Sequence, residues 1–169
     1  LDPDVLLRRV SAAGRAIAYA NDEAWYRVGR ATASRRSLNP VRRLRSTRPE
    51  RAPLAEGVVV QDGEAVLAVD ARPDRDPVLL LRAAAAAAQA GLRLSPYAVA
   101  RLASESAPLP EPWPIAARDS LISLLGAGRA AIPVWEALDQ ADLISRLIPE
   151  WKVVRSAPQR NPVHRFTVD

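Results

Sequence analysis

From the first residues onward, apolar side chains recur at steps of three and four: Leu6, Val10, Ala13, Ile17, Ala20, Ala24 and Val28, flanked by Arg8, Arg9, Arg15 and Glu23. That period lines one face of an α-helix and predicts an amphipathic helix over about 3–31. Asp2-Pro3 supplies its start: an Asp side chain accepts from an orphan N–H at the N-cap, and a proline at the first helical position has no N–H to leave unsatisfied. Trp25 and Tyr26, near the helix end, are expected to anchor it to a neighbour.

Between Ser34 and Glu56 the period vanishes. Asn39-Pro40, Arg48-Pro49 and Ala52-Pro53 each disfavour helix at the residue before proline, which predicts a loop. Two short apolar runs, Gly57-Val58-Val59-Val60 and Glu64-Ala65-Val66-Leu67-Ala68-Val69, flank Gln61-Asp62-Gly63, and Asp-Gly between such runs predicts a β-hairpin. A lone hairpin persists only when packed on helices. Asp76-Pro77 repeats the helix-start device ahead of Val78-Leu79-Leu80-Leu81-Arg82 and an alanine run, with Gly91 as the stop. Ser95-Pro96 opens another helix. Prolines from Pro108 to Pro114 precede a helix carrying Ile115, Leu121, Ile122, Leu124 and Leu125, which ends at Gly126 or Gly128. Further helices hold Trp135, Leu138, Leu143, Ile144 and Leu147 and stop at Pro149.

The pattern gives a mainly α fold: a helical bundle with one small β-hairpin and a long basic loop. The expected organisation is a long amphipathic helix over 1–33, a basic Pro-containing loop over 34–56, hairpin plus bundle over 57–150, and a polar lead-in over 151–169. The run Phe166-Thr167-Val168-Asp169 has no evident partner to bury it, and the chain opens on Leu1 with no signal-peptide core. Both features lead to the expectation of a middle piece of a larger protein.

Composition narrows the chemistry. With 169 residues the chain is long enough for one domain with a core. Only 5% of residues are aromatic while alanine dominates, which suits close helix–helix approach. There is no Cys, so disulfides, thiolate zinc sites and a cysteine nucleophile are excluded, and a reducing, cytoplasmic setting is compatible. No apolar run approaches the roughly 18 residues of a membrane span. The net charge of +5 is almost wholly arginine, since Lys152 is the one lysine. Much of the excess lies in Arg27, Arg30, Arg35, Arg36, Arg42, Arg43, Arg45, Arg48 and Arg51, opposed there only by Glu50, a stretch suited to an anionic partner.

Candidate catalytic groups are few. The seven glycines are scattered and form no phosphate-binding loop. Asp62, Glu64 and Asp70 are spaced as if for Mg²⁺, but Asp62 belongs to the turn and no Gly-Ser element precedes it. His164, with Asp169, is the single histidine, too few for a hydrolytic metal site. The dispersed Trp25, Trp113, Trp135 and Trp151 suit packing anchors better than a ligand cage. For the arginines, Arg35, Arg36, Arg42, Arg43 and Arg45 are the candidate contacts to phosphate or partner, against a plain surface role.

The ordered set Gly57-Val58-Val59-Val60-Gln61-Asp62-Gly63-Glu64, Asp76-Pro77-Val78-Leu79-Leu80-Leu81-Arg82, Leu147-Ile148-Pro149-Glu150-Trp151 and Pro158-Gln159-Arg160-Asn161-Pro162-Val163-His164-Arg165-Phe166-Thr167-Val168-Asp169 resembles a known family. The chain is similar, over essentially its whole length, to the actinobacterial form of the bifunctional PII uridylyltransferase/uridylyl-removing enzymes. The final element is the most specific, because in that family such a run leads into an HD phosphohydrolase domain.

The resemblance implies the helical segment between a nucleotidyltransferase domain, which attaches UMP or AMP to the nitrogen regulatory protein PII, and the HD domain, which removes it. It implies that the Gly-Ser and paired-Asp motif lies upstream of Leu1 and the first metal histidine beyond Asp169. No catalytic residue is then carried onto this chain, and His164, Arg165 and Asp169 are only HD-proximal. The segment itself is expected to hold no cofactor and to be inactive, with Mg²⁺ or another divalent metal used elsewhere in the parent. Expected partners are PII, the flanking domains and nucleotide, with no membrane and no nucleic acid. Two alternatives stay open: a stand-alone Arg-rich module binding nucleic acid or an acidic partner, and an autonomous hydrolase using His164 and carboxylates. Glutamine synthetase adenylyltransferase carries a related helical segment, but Phe166-Thr167-Val168-Asp169 favours the PII enzyme.

Overall fold

The computed structural model describes residues 2–36, 51–159 and 167–169, with the side chains of 33–36 outside the description. The helices are α1 (Pro3–Arg36), α2 (Leu79–Gln89), α3 (Pro96–Glu105), α4 (Ile115–Gly126), α5 (Ala131–Gln140), α6 (Leu143–Leu147) and α7 (Trp151–Val154), with a 3₁₀ turn at Gly128–Ala130. The strands are β1 (Ala52–Ala55), β2 (Val58–Gln61), β3 (Glu64–Leu67) and β4 (Arg93–Leu94). The fold is mainly α with a small β part. Two compact units divide the chain, one holding α1 and the segment from Ile148 onward, the other residues 48–147.

In the first unit, α1 begins as its sequence dictates: Asp2 Oδ1 accepts the Asp4 N–H at 2.9 Å and Pro3 is the first helical residue. The helix runs to Arg36, past the expected end near 31, because Ala31 to Arg36 contains neither proline nor glycine. Within that extension Thr32 Oγ1 donates back to the helix, 3.0 Å from the Val28 carbonyl and 2.9 Å from that of Gly29. At about 1.5 Å per residue, 34 residues span roughly 51 Å.

The face that α1 half-buries is not the apolar one. Asp4, Arg8, Ser11, Arg15, Tyr19, Glu23, Tyr26 and Arg30 follow the helical period and are half-buried, while every member of the Leu6-to-Val28 stripe is exposed. Arg8 Nη1 donates to the Lys152 carbonyl at 3.3 Å, and Arg15 Nη1 meets Asp169 Oδ2 at 2.6 Å, so this edge grips the segment after Ile148 through polar contacts. The Arg30 guanidinium lies 5.8 Å from the Tyr26 ring centre.

In the second unit the expected hairpin is present as β2 and β3, paired antiparallel from Val58↔Leu67 to Gln61↔Glu64. Asp62 at φ 53° and Gly63 at φ 78° form its two-residue loop, and positive φ at both positions is the type I′ signature that matches strand twist. The hairpin is the middle of a four-stranded sheet ordered β1-β2-β3-β4, not an isolated pair. Strand β1 lies in the stretch read as loop. Ala-Pro-Leu-Ala has no alternation to announce a strand, and Pro53 is tolerated because β1 is an edge, with an irregularity between Pro53 and Ala55. The two-residue β4 pairs in parallel with β3, Ala65 opposite Leu94.

Helix α2 packs against the sheet, α4 and α5. Leu79, Leu80, Leu81, Ala83, Ala84, Ala85, Ala87 and Ala88 are all buried, so the alanine run is the inner helix of this unit, buried nearly all round. Its end is a Schellman motif: Leu92 N–H donates to the Ala87 carbonyl, Gly91 N–H to that of Ala88, and Gly91 sits at φ 64°. Its start departs from the expected cap. Val78 occupies the N-cap position, while Asp76 Oδ1 accepts the Val78 N–H at 3.2 Å and Oδ2 pairs with Arg82. The helix therefore begins two residues after Pro77. Arg82 Nε also donates to the Glu56 carbonyl at 2.9 Å, fastening the β1–β2 turn to α2. At that turn Gly57 has φ 74°, and a Cβ there would stand 3.0 Å from Leu79 Cδ1.

Helix α3 follows its sequence signal, with Ser95 Oγ accepting the Ala98 N–H at 3.1 Å and Pro96 at the first position. Arg146 of α6 donates to the Ala103 carbonyl at 2.7 Å and the Ser106 carbonyl at 3.2 Å, satisfying acceptors that the end of α3 leaves open. Leu102, Leu124, Val134, Leu138, Leu143 and Ile144 complete the core of this unit.

Candidate functional site

Two of the five candidate arginines, Arg35 and Arg36, form the last turn of α1, with side chains outside the description. Arg42, Arg43 and Arg45 lie outside the described residues, as do His164 and Arg165. Asp169 is described. Burial of its carboxylate disfavours charge, but donation from the Thr167 hydroxyl and the Ser156 N–H, with the Arg15 guanidinium beside it, outweighs that and holds the group below the ordinary carboxylate range. Asp169 is thus engaged in fastening the segment after Ile148 to α1.

The carboxylates weighed for metal chemistry are held in three different settings. Asp62 is in the hairpin turn, Glu64 is buried on β3 at the level of Arg93 on β4, and Asp70 is exposed in the turn after β3. Among the described residues there is no group of three or more His, Asp or Glu placed to hold a metal ion.

One described charge cluster was not foreshadowed by any motif. Arg72 makes a two-pronged contact with Asp74, 3.1 Å and 3.0 Å, and Arg101 grips Glu105 one turn on at 2.9 Å. Arg101 Nη2 also donates to the Ala71 carbonyl at 3.1 Å, tying α3 to the stretch after the sheet. Hydrogen bonding to Arg72 holds the Asp74 carboxyl below its usual range, and hydrogen bonding to Arg101 does the same for Glu105. The guanidiniums are raised by the same bonds. Arg72, Asp74, Arg101 and Glu105 are thus each engaged with an opposite charge, an arrangement that braces α3, and Arg75 lies 3.9 Å from the same Asp74 carboxylate. The cluster's signal in the sequence is the i,i+4 spacing of Arg101 and Glu105 alone.

No single helix among the described residues is long and apolar enough to cross a membrane. No protein-family model matches the chain, and no solved structure matches it. Curated relatives do. The bifunctional uridylyltransferase/uridylyl-removing enzyme of Streptomyces coelicolor is 57% identical over 175 residues, covering 100% of this chain and 21% of the relative. The protein of the same name from Mycobacterium tuberculosis H37Rv is 44% identical over 164 residues, covering 97% of the chain and 20% of the relative. That of Corynebacterium glutamicum is 38% identical over 120 residues, 70% of the chain and 17% of the relative. The chain spans about a fifth of the length of the first two relatives.

Proposed function

This chain belongs to the bifunctional uridylyltransferase/uridylyl-removing enzyme family, as a homologue of one segment of those proteins, and from that premise we propose that it is a helical support module between two catalytic domains. In this reading the longer enzyme attaches UMP or AMP to PII and removes it in the cytoplasm. One domain precedes α1 and an HD domain follows Asp169, each supplying its own divalent metal. The module's contribution is geometric: stiff helices hold the two centres and the PII substrate in fixed relation, where a flexible tether would blur the reacting geometry.

The observation that carries the reading is that the whole chain aligns with about a fifth of the Streptomyces coelicolor relative. The internal pairing of its charges also supports it: Arg15 with Asp169, Arg72 with Asp74, Arg82 with Asp76 and Arg101 with Glu105. Groups so engaged brace a scaffold. Arg35, Arg36, Arg42, Arg43 and Arg45 are the module's contacts to nucleotide phosphates or to an acidic surface of PII.

The purified chain, incubated with PII, nucleoside triphosphate and Mg²⁺, is expected to leave PII unmodified, and to leave pre-modified PII intact. Turnover of either kind by the chain alone contradicts the proposal. Duplex DNA or RNA bound with a steep salt dependence would instead favour a nucleic-acid module.

A further inference from the structure

We propose that Arg15 and Asp169 form a charge latch: together they close the segment from Ile148 to Asp169 as a strap on α1, and the strap opens as one unit when either charge is removed. Both sides of the latch lie in the compact unit that holds α1 and the segment from Ile148 onward, and nothing outside that unit is required. The device goes beyond the proposed function and stands or falls without it.

Three donors from two different elements meet on one carboxylate. Arg15 Nη1 reaches Asp169 Oδ2 from α1 at 2.6 Å, while the Thr167 hydroxyl and the Ser156 N–H reach the carboxylate from within the strap. Only 2% of the Asp169 side chain is exposed. The strap folds back on itself at this point: Val168 N–H donates to the Ala157 carbonyl at 3.0 Å, and Ala157 N–H to the Val154 carbonyl at 2.9 Å. Ser156, just before that fold, is buried at φ 55°, a left-handed conformation that a residue with a Cβ disfavours, and the bond from its N–H to Asp169 helps to hold it there.

Two turns earlier on α1, Arg8 donates to the Lys152 carbonyl at 3.3 Å, longer than a strong hydrogen bond. The contact at Asp169 is shorter and joins two charges, and the same carboxylate ties the two arms of the strap to each other. A network with one shared acceptor fails together. Neutralising Asp169 takes a partner from both arms of the strap and leaves the Arg15 guanidinium uncompensated, and an amide in its place offers one oxygen where two stood and turns an N–H₂ toward a donor. A closure held at such a point opens as a sub-global unit and not residue by residue.

Residue-resolved amide hydrogen exchange by NMR on the 169-residue chain and its variants tests the latch. The Ala157 and Val168 amides are the reporters, since both are bonded within the strap and neither donates to Asp169; the Leu92 and Val99 amides, bonded within the second unit, are the controls. Asp169→Asn and Arg15→Gln are each expected to speed exchange at Ala157 and Val168 by at least about ten-fold, with Leu92 and Val99 unchanged. Arg15→Lys keeps the charge without the planar fork and is expected to stay within about three-fold of the parent chain. Faster exchange at Ser156 alone in D169N overturns the proposal, because it reports one lost hydrogen bond and no opening. R15Q without effect on Ala157 and Val168 overturns it as well, because the strap is then closed without α1. Equal acceleration by R15K and R15Q removes the charge dependence, and unprotected Ala157 and Val168 amides in the parent chain contradict a closed strap outright. Should D169N disturb the controls, the R15Q and R15K pair, which leaves the strap's own sequence untouched, decides the question.

Discussion

At the scale of single residues, two glycines with nearly the same backbone carry different predictions. Gly57 and Gly63 both sit at positive φ, yet a Cβ at Gly57 meets Leu79 Cδ1 at 3.0 Å whereas one at Gly63 meets nothing within 4 Å. Gly63→Ala is therefore expected to lose only the backbone preference, about 1 kcal/mol, and Gly57→Ala more, about 2–3 kcal/mol. Urea denaturation of the two variants checks the order, and equal losses would remove the packing part of the argument. Asp169 gives a pH prediction. Its folded carboxyl is held below the ordinary range, so its contribution is present above the unfolded value near about 3.9 and is lost as pH falls through the lower folded value. A carboxyl-resolved NMR titration is expected to place Asp169 below about 3.9, and Arg15→Gln to raise it. A midpoint at or above the ordinary value would contradict the contacts assigned to it.

At the scale of elements, what was legible in the sequence was whatever a few neighbouring residues decide. Asp2-Pro3, Ser95-Pro96, Asp62-Gly63 and Gly91 each encode a backbone geometry locally, and each appears where its chemistry predicts. Strands β1 and β4 were not legible, because Ala-Pro-Leu-Ala and Arg-Leu become strands only through the partners beside them. Asp76 misled for the same reason: Arg82, one turn into α2, competes for its carboxylate. The period of α1 was legible, but not which side the chain half-buries, since contacts with Lys152 and Asp169 involve residues far away in sequence. Ser95→Ala should cost about 1 kcal/mol through the lost Ala98 N–H bond, measured as a shift of the denaturation midpoint, and Ser95→Asp should retain most of it. Loss on both substitutions alike would show that the cap is not what matters there.

At the scale of the whole molecule, the single histidine and the scattered glycines lead only to the expectation that no self-contained active site is present, and the candidate arginines and His164 lie largely outside the described residues. Where the arginines between 27 and 51 act was not legible, because charge density states attraction and not an address. In the core of the second unit Leu138 is wholly buried, and Leu138→Ala is expected to cost about 2–5 kcal/mol in the denaturation of that unit.

The claim that this module works by holding catalytic domains in place is tested most directly by replacing the corresponding segment of a full-length relative with a Gly-Ser tether of equal residue count and measuring nucleotidyl transfer to PII. The account predicts a fall of at least roughly ten-fold, with both flanking domains still folded by circular dichroism. Transfer at the unaltered rate through the flexible tether would contradict it.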